Sequence, residues 1–169
     1  MDSSVFSKWP KIAELSPENL ATLREAYIQK NASKYLPIMA KIDSGSTVRG
    51  SLVAFFFGIF WLVYRKLYRN TGALLYAAFI IICIFFGASG YDGILNPLCF
   101  GANVVFAIMA RKLYWQTTCQ EISNALSATD NDIEKAKTIL LNRGGVNVAA
   151  VLITLAAIVI FIFCVGLTV

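Results

Sequence analysis

The side chains that could do chemistry in this sequence are few, and the cysteines come first. Four are present, at Cys83, Cys99, Cys119 and Cys164. Their spacing matches neither the close pairs of a zinc site nor the two-residue interval of a redox motif. Three lie in apolar segments and one in a polar segment. Free cysteines commonly pack as small buried hydrophobic residues, so we expect all four to be structural and predict no metal site and no cofactor.

Histidine is absent, which removes the commonest general base and the commonest metal ligand. The long apolar segments contain no aspartate, glutamate, lysine or arginine, so a proton relay or a pair of catalytic carboxylates inside a membrane has no residues to use. We therefore expect that the chain is not an enzyme. An amide in the third apolar segment, Asn103, is expected to hydrogen-bond a neighbouring helix, at about 1 kcal/mol.

A basic and aromatic cluster follows the first apolar stretch, and two more basic residues are expected to return to the same depth later. This headgroup cluster consists of Tyr64, Arg65, Lys66, Tyr68, Arg69, Arg111 and Lys112. Near an anionic membrane surface each basic residue contributes about 1 kcal/mol, so the cluster could grip lipid head groups. The alternative is that it only fixes the orientation of the chain. Nucleic acid is not expected as a partner, because the basic residues flank membrane segments and no recognition motif accompanies them.

The elements that must position these residues are predicted from composition and pattern. The chain has 169 residues, 57% of them hydrophobic, which is typical of an integral membrane protein rather than a soluble domain. We predict an all-α fold with three full transmembrane helices, one short interfacial or re-entrant helix, and cytoplasmic amphipathic helices. The predicted regions are a cytoplasmic helical region at 1–50, a membrane region at 51–115, a cytoplasmic helical linker at 116–145, and a C-terminal transmembrane helix at 146–169.

The N-terminal region shows the start of a helix at Ser16-Pro17-Glu18, with serine as the N-cap and proline at the first helical position. The helix is expected to run to about residue 33, with a second short piece at 36–42. Apolar residues spaced for one helix face are Leu20, Leu23, Tyr27 and Ile28. This face either packs on the region itself or on the membrane surface, or it docks a partner.

The first apolar stretch, residues 51–64, is short for a membrane span. At about 1.5 Å per residue it reaches about 21 Å, against a hydrocarbon core of about 30 Å. We therefore predict that the segment 51–69 lies in the interface or re-enters, and the alternative is a distorted fourth span.

Residues 72–110 are predicted to form a membrane hairpin with a tight turn at 90–93 and a second helix that begins at Asn96-Pro97. Small residues that would let its two helices approach closely are Ala73, Ala77 and Gly101. Further on, residues 129–132 resemble a capping box, and Gly144-Gly145 is expected to end the helix that follows. The last apolar segment, at about 36 Å, is long enough to span.

The placement of charge predicts the topology. None of the 15 lysines and arginines lies in the turn at 90–93. Cytoplasmic segments carry the basic excess. If residues 51–64 do not span, every basic residue faces the cytoplasm, so the N-terminus is expected inside and the C-terminus outside.

The central stretch resembles a family of small bacterial inner-membrane proteins filed as a domain of unknown function, with a signature like W-A-A-F-F-F-G-P-x-W-x-x-Y-R-K-M-Y. The matching residues are Ala54, Phe55, Phe56, Phe57, Gly58, Trp61, Tyr64, Arg65, Lys66 and Tyr68. The leading tryptophan and the proline after the glycine are missing here, so we expect this segment to be straighter than in relatives. The resemblance covers residues 34 to 150 loosely and implies a bacterial inner-membrane location, without a reaction, ligand or active site.

These observations favour a non-enzymatic function, as a subunit, adaptor or scaffold of a membrane assembly. The alternatives are a component of a homo-oligomeric channel or transporter and a membrane immunity or exclusion protein. The expected partners are membrane lipids, anionic ones included, and either another protein or further copies of this chain.

Overall fold

The structure, a computed structural model, describes residues 6–88 and 92–166, and every regular element within these ranges is helical. The all-α fold class is thereby confirmed. The α-helices are α1 (Pro10–Ala13), α2 (Pro17–Ile28), α3 (Ala32–Asp43), α4 (Leu52–Tyr64), α5 (Thr71–Ala88), α6 (Asp92–Ala128), α7 (Ile133–Arg143) and α8 (Val148–Gly166). A short 3₁₀ helix at Leu67–Arg69 lies between α4 and α5.

One stretch of the described residues is long and apolar enough to cross a membrane, where the sequence predicted three. This stretch, Ile133–Phe161, contains most of α8 and reaches a mean hydropathy of 2.4. The other apolar helical stretches among these residues, Leu52–Tyr64 and Thr71–Cys83, are shorter. By length and composition, then, one helical stretch could cross a membrane.

The chain divides into two compact units. The first unit comprises Met1–Arg49 and Arg111–Val146, and the second unit comprises Gly50–Ala110 and Asn147–Val169. The polar segments at the start and in the later part of the sequence therefore belong to one folded unit. Helix α6 contributes its later half to the first unit and its earlier half to the second.

In the first unit, α2 begins as the sequence predicted. The Ser16 side chain accepts a hydrogen bond from the backbone N–H of Asn19 at 3.2 Å, and Pro17 occupies the first helical position. The helix ends at Ile28, earlier than predicted, because Gln29 and Asn31 adopt positive φ angles of 51° and 67°. Since L-residues in that conformation cannot continue an α-helix, the chain reverses there and α3 begins at once.

Helix α7 begins three residues later than the capping-box pattern predicted. Asp130 and Asn131 have φ angles of 50° and 67°, so the N-cap is Asp132, whose carboxylate accepts bonds from the N–H groups of Glu134 and Lys135. The hydrogen bond from Lys135 and the nearby ammonium group lower the pKa of Asp132. The helix ends before Gly144 as predicted, and a Cβ at Gly144 would collide with the backbone oxygen of Tyr27.

The core of the first unit forms where α2 packs against α3 and α7. Fully buried side chains come from each of its helices and from the segment before α1: Phe6, Ile12, Leu23, Ile28, Met39, Tyr114, Ile122, Leu126 and Leu140. Gln29 also reaches across to donate a hydrogen bond to the carbonyl of Leu141 at 2.7 Å. The connection after α2 is thus tied to the end of α7.

In the second unit, α4 is broken. Gly58 has φ 27° and ψ −104°, which are not helical, so the thirteen-residue helix consists of two short pieces on either side of this glycine. The segment is therefore bent even without the proline of the family signature, because the glycine itself supplies the break. Glycine adopts this conformation without the steric cost that a Cβ would impose.

The ends of the helices in the second unit are fixed by side-chain and backbone contacts. The side chain of Asn70 caps α5 by accepting bonds from the N–H groups of Gly72 and Ala73. At the start of α8, Asn147 donates from its backbone N–H to the carbonyl of Tyr64 at 3.0 Å and caps the helix through its side chain. These bonds place the start of α8 beside the end of α4.

Helix α6 is longer at both ends than the sequence predicted. Of the predicted turn at 90–93, residues 90 and 91 lie outside the described residues, and α6 already begins at Asp92 instead of at Asn96-Pro97. Pro97 lies inside the helix. The helix also continues past Arg111 to Ala128, because the change from apolar to polar composition there brings no glycine, proline or cap that would end it.

Candidate functional site

The four residues considered as a docking face share one side of α2, and that side is the interior of the first unit. Leu20 and Tyr27 are 2% and 4% exposed, and Leu23 and Ile28 are fully buried. A docking role does not fit this burial, whereas packing of the helical region on itself does. These four side chains are buried because α7, which lies about a hundred residues later in the sequence, packs against α2.

The most unusual feature of the first unit is a buried ion pair. The guanidinium of Arg24 donates two hydrogen bonds to the carboxylate of Asp43, at 2.6 and 2.9 Å, and both side chains are almost fully buried. Asp43 is the last residue of α3. The pair therefore fixes the end of α3 against α2, immediately before the chain leaves for the second unit.

Two residues of α6 complete this buried polar cluster. The indole N–H of Trp115 donates to Asp43 at 2.8 Å, and the second guanidinium nitrogen of Arg24 lies 3.9 Å from the sulfur of Cys119. Burial disfavours the charged guanidinium, but the hydrogen bonds and the charge of Asp43 outweigh it and raise the pKa of Arg24. Burial also raises the pKa of Cys119, to about 12, although Arg24 works against this.

The chemistry of this cluster is that of a structural clamp. Its carboxylate already accepts three hydrogen bonds, and its thiol is held in the protonated form, which is not nucleophilic. The aromatic rings of Phe6 and Trp9 pack on Trp115, at centroid distances of 5.9 and 5.3 Å. The N-terminal segment thus covers the cluster on the side of Trp115.

The members of the headgroup cluster fall into both units. Within the second unit, Arg65 is only 2% exposed and its guanidinium lies 5.5 Å from the ring centre of Tyr64. Lys66 is half-buried with a left-handed φ of 56°, and Tyr68 and Arg69 are exposed. In the first unit, Arg111 is half-buried and Lys112 is exposed. The sequence predicted Arg65 at a lipid surface together with the other members of the headgroup cluster. In the structure it is an interior residue of the second unit.

The residues predicted to join helices in the second unit differ in their surroundings. Asn103 accepts a hydrogen bond from the hydroxyl of Tyr76 on α5, which is the inter-helical bond expected of it. Ala73 is fully buried and Ala77 is half-buried. A Cβ at Gly101 would meet no atom within 4 Å, so this glycine makes no close helix contact among the described residues.

Tyr76 and Asn103 meet at the break in α4. A Cβ at Gly58 would collide with the hydroxyl of Tyr76 and would lie 3.0 Å from the amide oxygen of Asn103. The ring of Tyr76 stacks on Phe106 at 3.9 Å, and Phe106 in turn packs edge-on against Trp61. The hydrogen bond between Tyr76 and Asn103 therefore joins α5 to α6 at the point where both side chains lie against the backbone of Gly58 on α4.

The two cysteines of α5 and α6 differ in exposure, since Cys83 is buried and Cys99 is half-buried. Among the described residues, no group of three or more histidine, cysteine, aspartate or glutamate side chains could hold a metal ion.

Comparisons with known proteins give one match. Residues 38–119 match the model of a family described as Protein of unknown function (DUF2628). This confirms the resemblance to a family of unknown function that residues 54–68 indicated. No curated protein and no solved structure is detectably similar to the chain.

Proposed function

With residues 38–119 matching a family of unknown function, we propose from the structure that this chain is a non-enzymatic membrane protein serving as a subunit, adaptor or scaffold of a membrane assembly. The second unit anchors the chain in the bilayer, and the first unit presents a folded domain to partner proteins at the cytoplasmic surface. A bacterial inner membrane, which the sequence resemblance implies, is the proposed location.

The observation that carries this proposal is the separation of charge from exposed apolar surface. The second unit contains four charged residues, Arg65, Lys66, Arg69 and Asp92, and the first unit contains all the others. Large hydrophobic side chains that are exposed lie almost entirely in the second unit, on α4, α5, α6 and α8. An apolar exterior of this kind is suited to contact with lipid. In water, an apolar patch of this size would associate with other apolar surfaces.

We propose that three helices span, namely α5, the earlier half of α6, and α8, with α4 lying in the interface or re-entering. Support comes from the length of α4, which at thirteen residues reaches about 20 Å even if straight, and from its break at Gly58. All the basic residues then face the cytoplasm, the N-terminus is inside, and the C-terminus is outside.

This topology is tested with single cysteines at Lys41 and Asp92 in a variant that lacks the four native cysteines. Lys41 is exposed, and its replacement leaves the buried ion pair intact. A membrane-impermeant maleimide added to intact cells is expected to label Asp92→Cys, with Lys41→Cys labelled only after the membrane is opened. Labelling of both positions in intact cells contradicts the proposed topology.

The partner-binding role is tested on Leu141, the large hydrophobic side chain most exposed among the described residues of the first unit, at 48%. It lies on α7, two residues before the helix ends at Arg143, and a partner could bury it there. Leu141→Lys is expected to weaken co-purification of the partner at least tenfold, which corresponds to about 1.4 kcal/mol. The readout is the abundance of the partner relative to this chain in native mass spectrometry of protein in mild detergent.

The matched control is Thr138→Lys, which adds the same charge one turn earlier at another exposed position of α7. It is expected to leave the stoichiometry unchanged. A chain that is recovered alone, without a second protein at fixed stoichiometry, contradicts the subunit proposal.

A second candidate, a component of a homo-oligomeric channel or transporter, is favoured by the broken helix α4. Discontinuous membrane helices are typical of sites where transported solutes bind, and here the break meets the polar pair of Tyr76 and Asn103. In this case native mass spectrometry is expected to give a defined homo-oligomer, and Asn103→Val is expected to abolish solute flux into proteoliposomes.

A further inference from the structure

We propose that the exposed side of α3, in the first unit, is a docking surface for the anionic phospholipid head groups of the bilayer that holds the second unit. This basic face consists of Lys34, Pro37 and Lys41, and the exposed Arg49 follows it along the chain. The proposal rests on the membrane anchoring proposed above and adds a second contact with the same bilayer. The basic face shares no residue with the headgroup cluster.

Helix α3 has one buried side and one basic side. The buried side is formed by Ala32, Tyr35, Met39, Ile42 and Asp43. Lys34, Pro37 and Lys41 are exposed together on the opposite side, because helical residues three, four and seven apart share a face. The two lysines are two turns apart, about 10 Å along the helix axis. They can therefore touch an extended surface at the same time.

The positive charge of the basic face is not compensated by neighbouring residues in the chain. Between residues 26 and 91 the sequence contains one acidic residue, Asp43, and it is already neutralised in the buried ion pair. Among the residues that the structure describes, no ion pair joins Lys34, Lys41 or Arg49 to a carboxylate. The face is therefore complementary to a surface of negative charge.

The lysines of α7 are arranged differently. Lys135 pairs with Asp132 at 3.2 Å, and Lys137 pairs with Glu134 at 3.8 Å. Positive and negative charges thus cancel locally on α7, whereas the exposed side of α3 carries one sign. The same unit therefore offers two pairs of lysines that differ in whether a carboxylate neutralises them.

The end of α3 is fixed close to the point where α6 enters the first unit. Trp115, whose indole N–H donates to Asp43 at 2.8 Å, comes four residues after Arg111, the first residue that α6 contributes to this unit. Four residues of α-helix rise about 6 Å. With the earlier half of α6 in the bilayer, Lys41 is therefore held near the membrane surface. Because such a tether makes the contact intramolecular, a weak attraction for each lysine is sufficient.

The residue types on α3 favour a fluid lipid surface over a folded acidic protein. Lysine carries a compact, hydrated charge on a flexible stem and lacks the planar fork with which arginine binds one carboxylate in a fixed geometry. Leu36 and Ile38 are half-buried at the borders of the basic face. Lysines beside apolar side chains are typical of helices that lie at the boundary between head groups and acyl chains.

The test uses the full chain in nanodiscs of phosphatidylcholine, with or without phosphatidylglycerol as the anionic lipid. In a variant that lacks the four native cysteines, Ala40→Cys carries a fluorescent label at an exposed position beside Lys41. A nitroxide on the lipid head group quenches this label when α3 touches the surface. Quenching is expected in the anionic nanodiscs and not in the neutral ones. Salt at about 1 M is expected to remove it, because charges are then screened beyond about 3 Å.

Matched variants separate the basic face from the net charge of the unit. Lys34→Gln/Lys41→Gln is expected to lower the ratio of docked to free chain at least tenfold, since each basic residue near an anionic leaflet contributes about fivefold. Lys135→Gln/Lys137→Gln removes the same charge from α7, where both lysines are already paired, and is expected to leave the ratio unchanged.

The outcomes distinguish this proposal from the anchoring on which it rests. A chain that does not enter nanodiscs contradicts the anchoring itself. A chain that elutes with anionic nanodiscs but shows no quenching overturns the docking surface alone, and so does equal quenching in neutral nanodiscs or an equal loss in both lysine variants. If Lys34→Gln/Lys41→Gln instead removes a co-purified acidic protein while the label stays unquenched, the face binds protein and the lipid proposal is overturned.

Discussion

In the first unit, apolar side chains such as Leu23 and Ile28 are fully buried, and the charged Arg24 is buried only because Asp43 neutralises it. In the second unit the polar contact between Tyr76 and Asn103 is partly buried, while most large apolar side chains are exposed. The same chain thus follows two opposite rules of burial. The difference teaches that each unit is arranged for its own solvent, water for the first and, on our proposal, lipid for the second.

The largest expected effect comes from breaking the buried ion pair. Arg24→Met leaves the carboxylate of Asp43 buried without its cation, and we expect the free energy of unfolding of the first unit to fall by about 3–5 kcal/mol. The measurement is urea unfolding followed by the fluorescence of Trp9 and Trp115, in a background where Trp61 is phenylalanine.

The matched control removes both charges. Arg24→Met/Asp43→Leu is expected to recover most of the loss, because replacing a buried ion pair by apolar residues of similar volume is often nearly neutral. If the single variant loses less than about 1 kcal/mol of unfolding free energy, the first unit does not need Arg24 to neutralise Asp43. The contrast in burial between the two units would then not hold for the first unit.

The next effect tests the break in the second unit. Gly58→Ala places a Cβ at a positive φ and against the hydroxyl of Tyr76, so we expect it to destabilise the second unit by about 1–3 kcal/mol. Unfolding in sodium dodecyl sulfate, followed by circular dichroism of the helical signal, gives the change.

The glycine at 101 provides the control, since a Cβ there meets nothing within 4 Å. Gly101→Ala is expected to leave the stability unchanged or raise it by up to about 1 kcal/mol, because alanine is the better helix former. Adding Tyr76→Phe to Gly58→Ala is expected to restore part of the loss. If both glycines respond alike, the special conformation of Gly58 has no energetic role.

The smallest expected effect concerns the polar contact inside the second unit. A double-mutant cycle of Tyr76→Phe and Asn103→Val is expected to give a coupling energy of about 0.6 kcal/mol, the average for hydrogen bonds between membrane helices. The same detergent titration measures it. A coupling of the size expected for the ion pair of the first unit would show that polar contacts in the two units are equivalent, and the contrast would be lost.

The local signals of the sequence predicted the fold where neighbouring residues determine it. The N-cap at Ser16, the proline after it, and the end of α7 before Gly144 were read from adjacent residues, and the structure confirms them. The start of α7 was predicted wrongly, because only backbone angles at Asp130 and Asn131 decide between Thr129 and Asp132 as the cap.

The contacts that make the candidate sites depend on partners distant in sequence, and those were not predicted. The burial of Arg24 was not predicted, since nothing near it in the sequence reveals that Asp43 and Trp115 lie beside it. The interior position of Leu20 and Tyr27 likewise depends on α7.

The composition of the first unit from two separated segments has a consequence for synthesis. Helix α2 cannot bury Leu23 and Tyr27 until α7 has been made, and the unit is complete only at Val146, 97 residues after Arg49. At about 5–20 residues per second this takes about 5–20 s, during which, on our proposal, the intervening segment enters the membrane. The nascent chain therefore passes through a stage in which the apolar side of α2 is open, and a ribosome-bound chaperone would meet there a surface that the finished protein never displays.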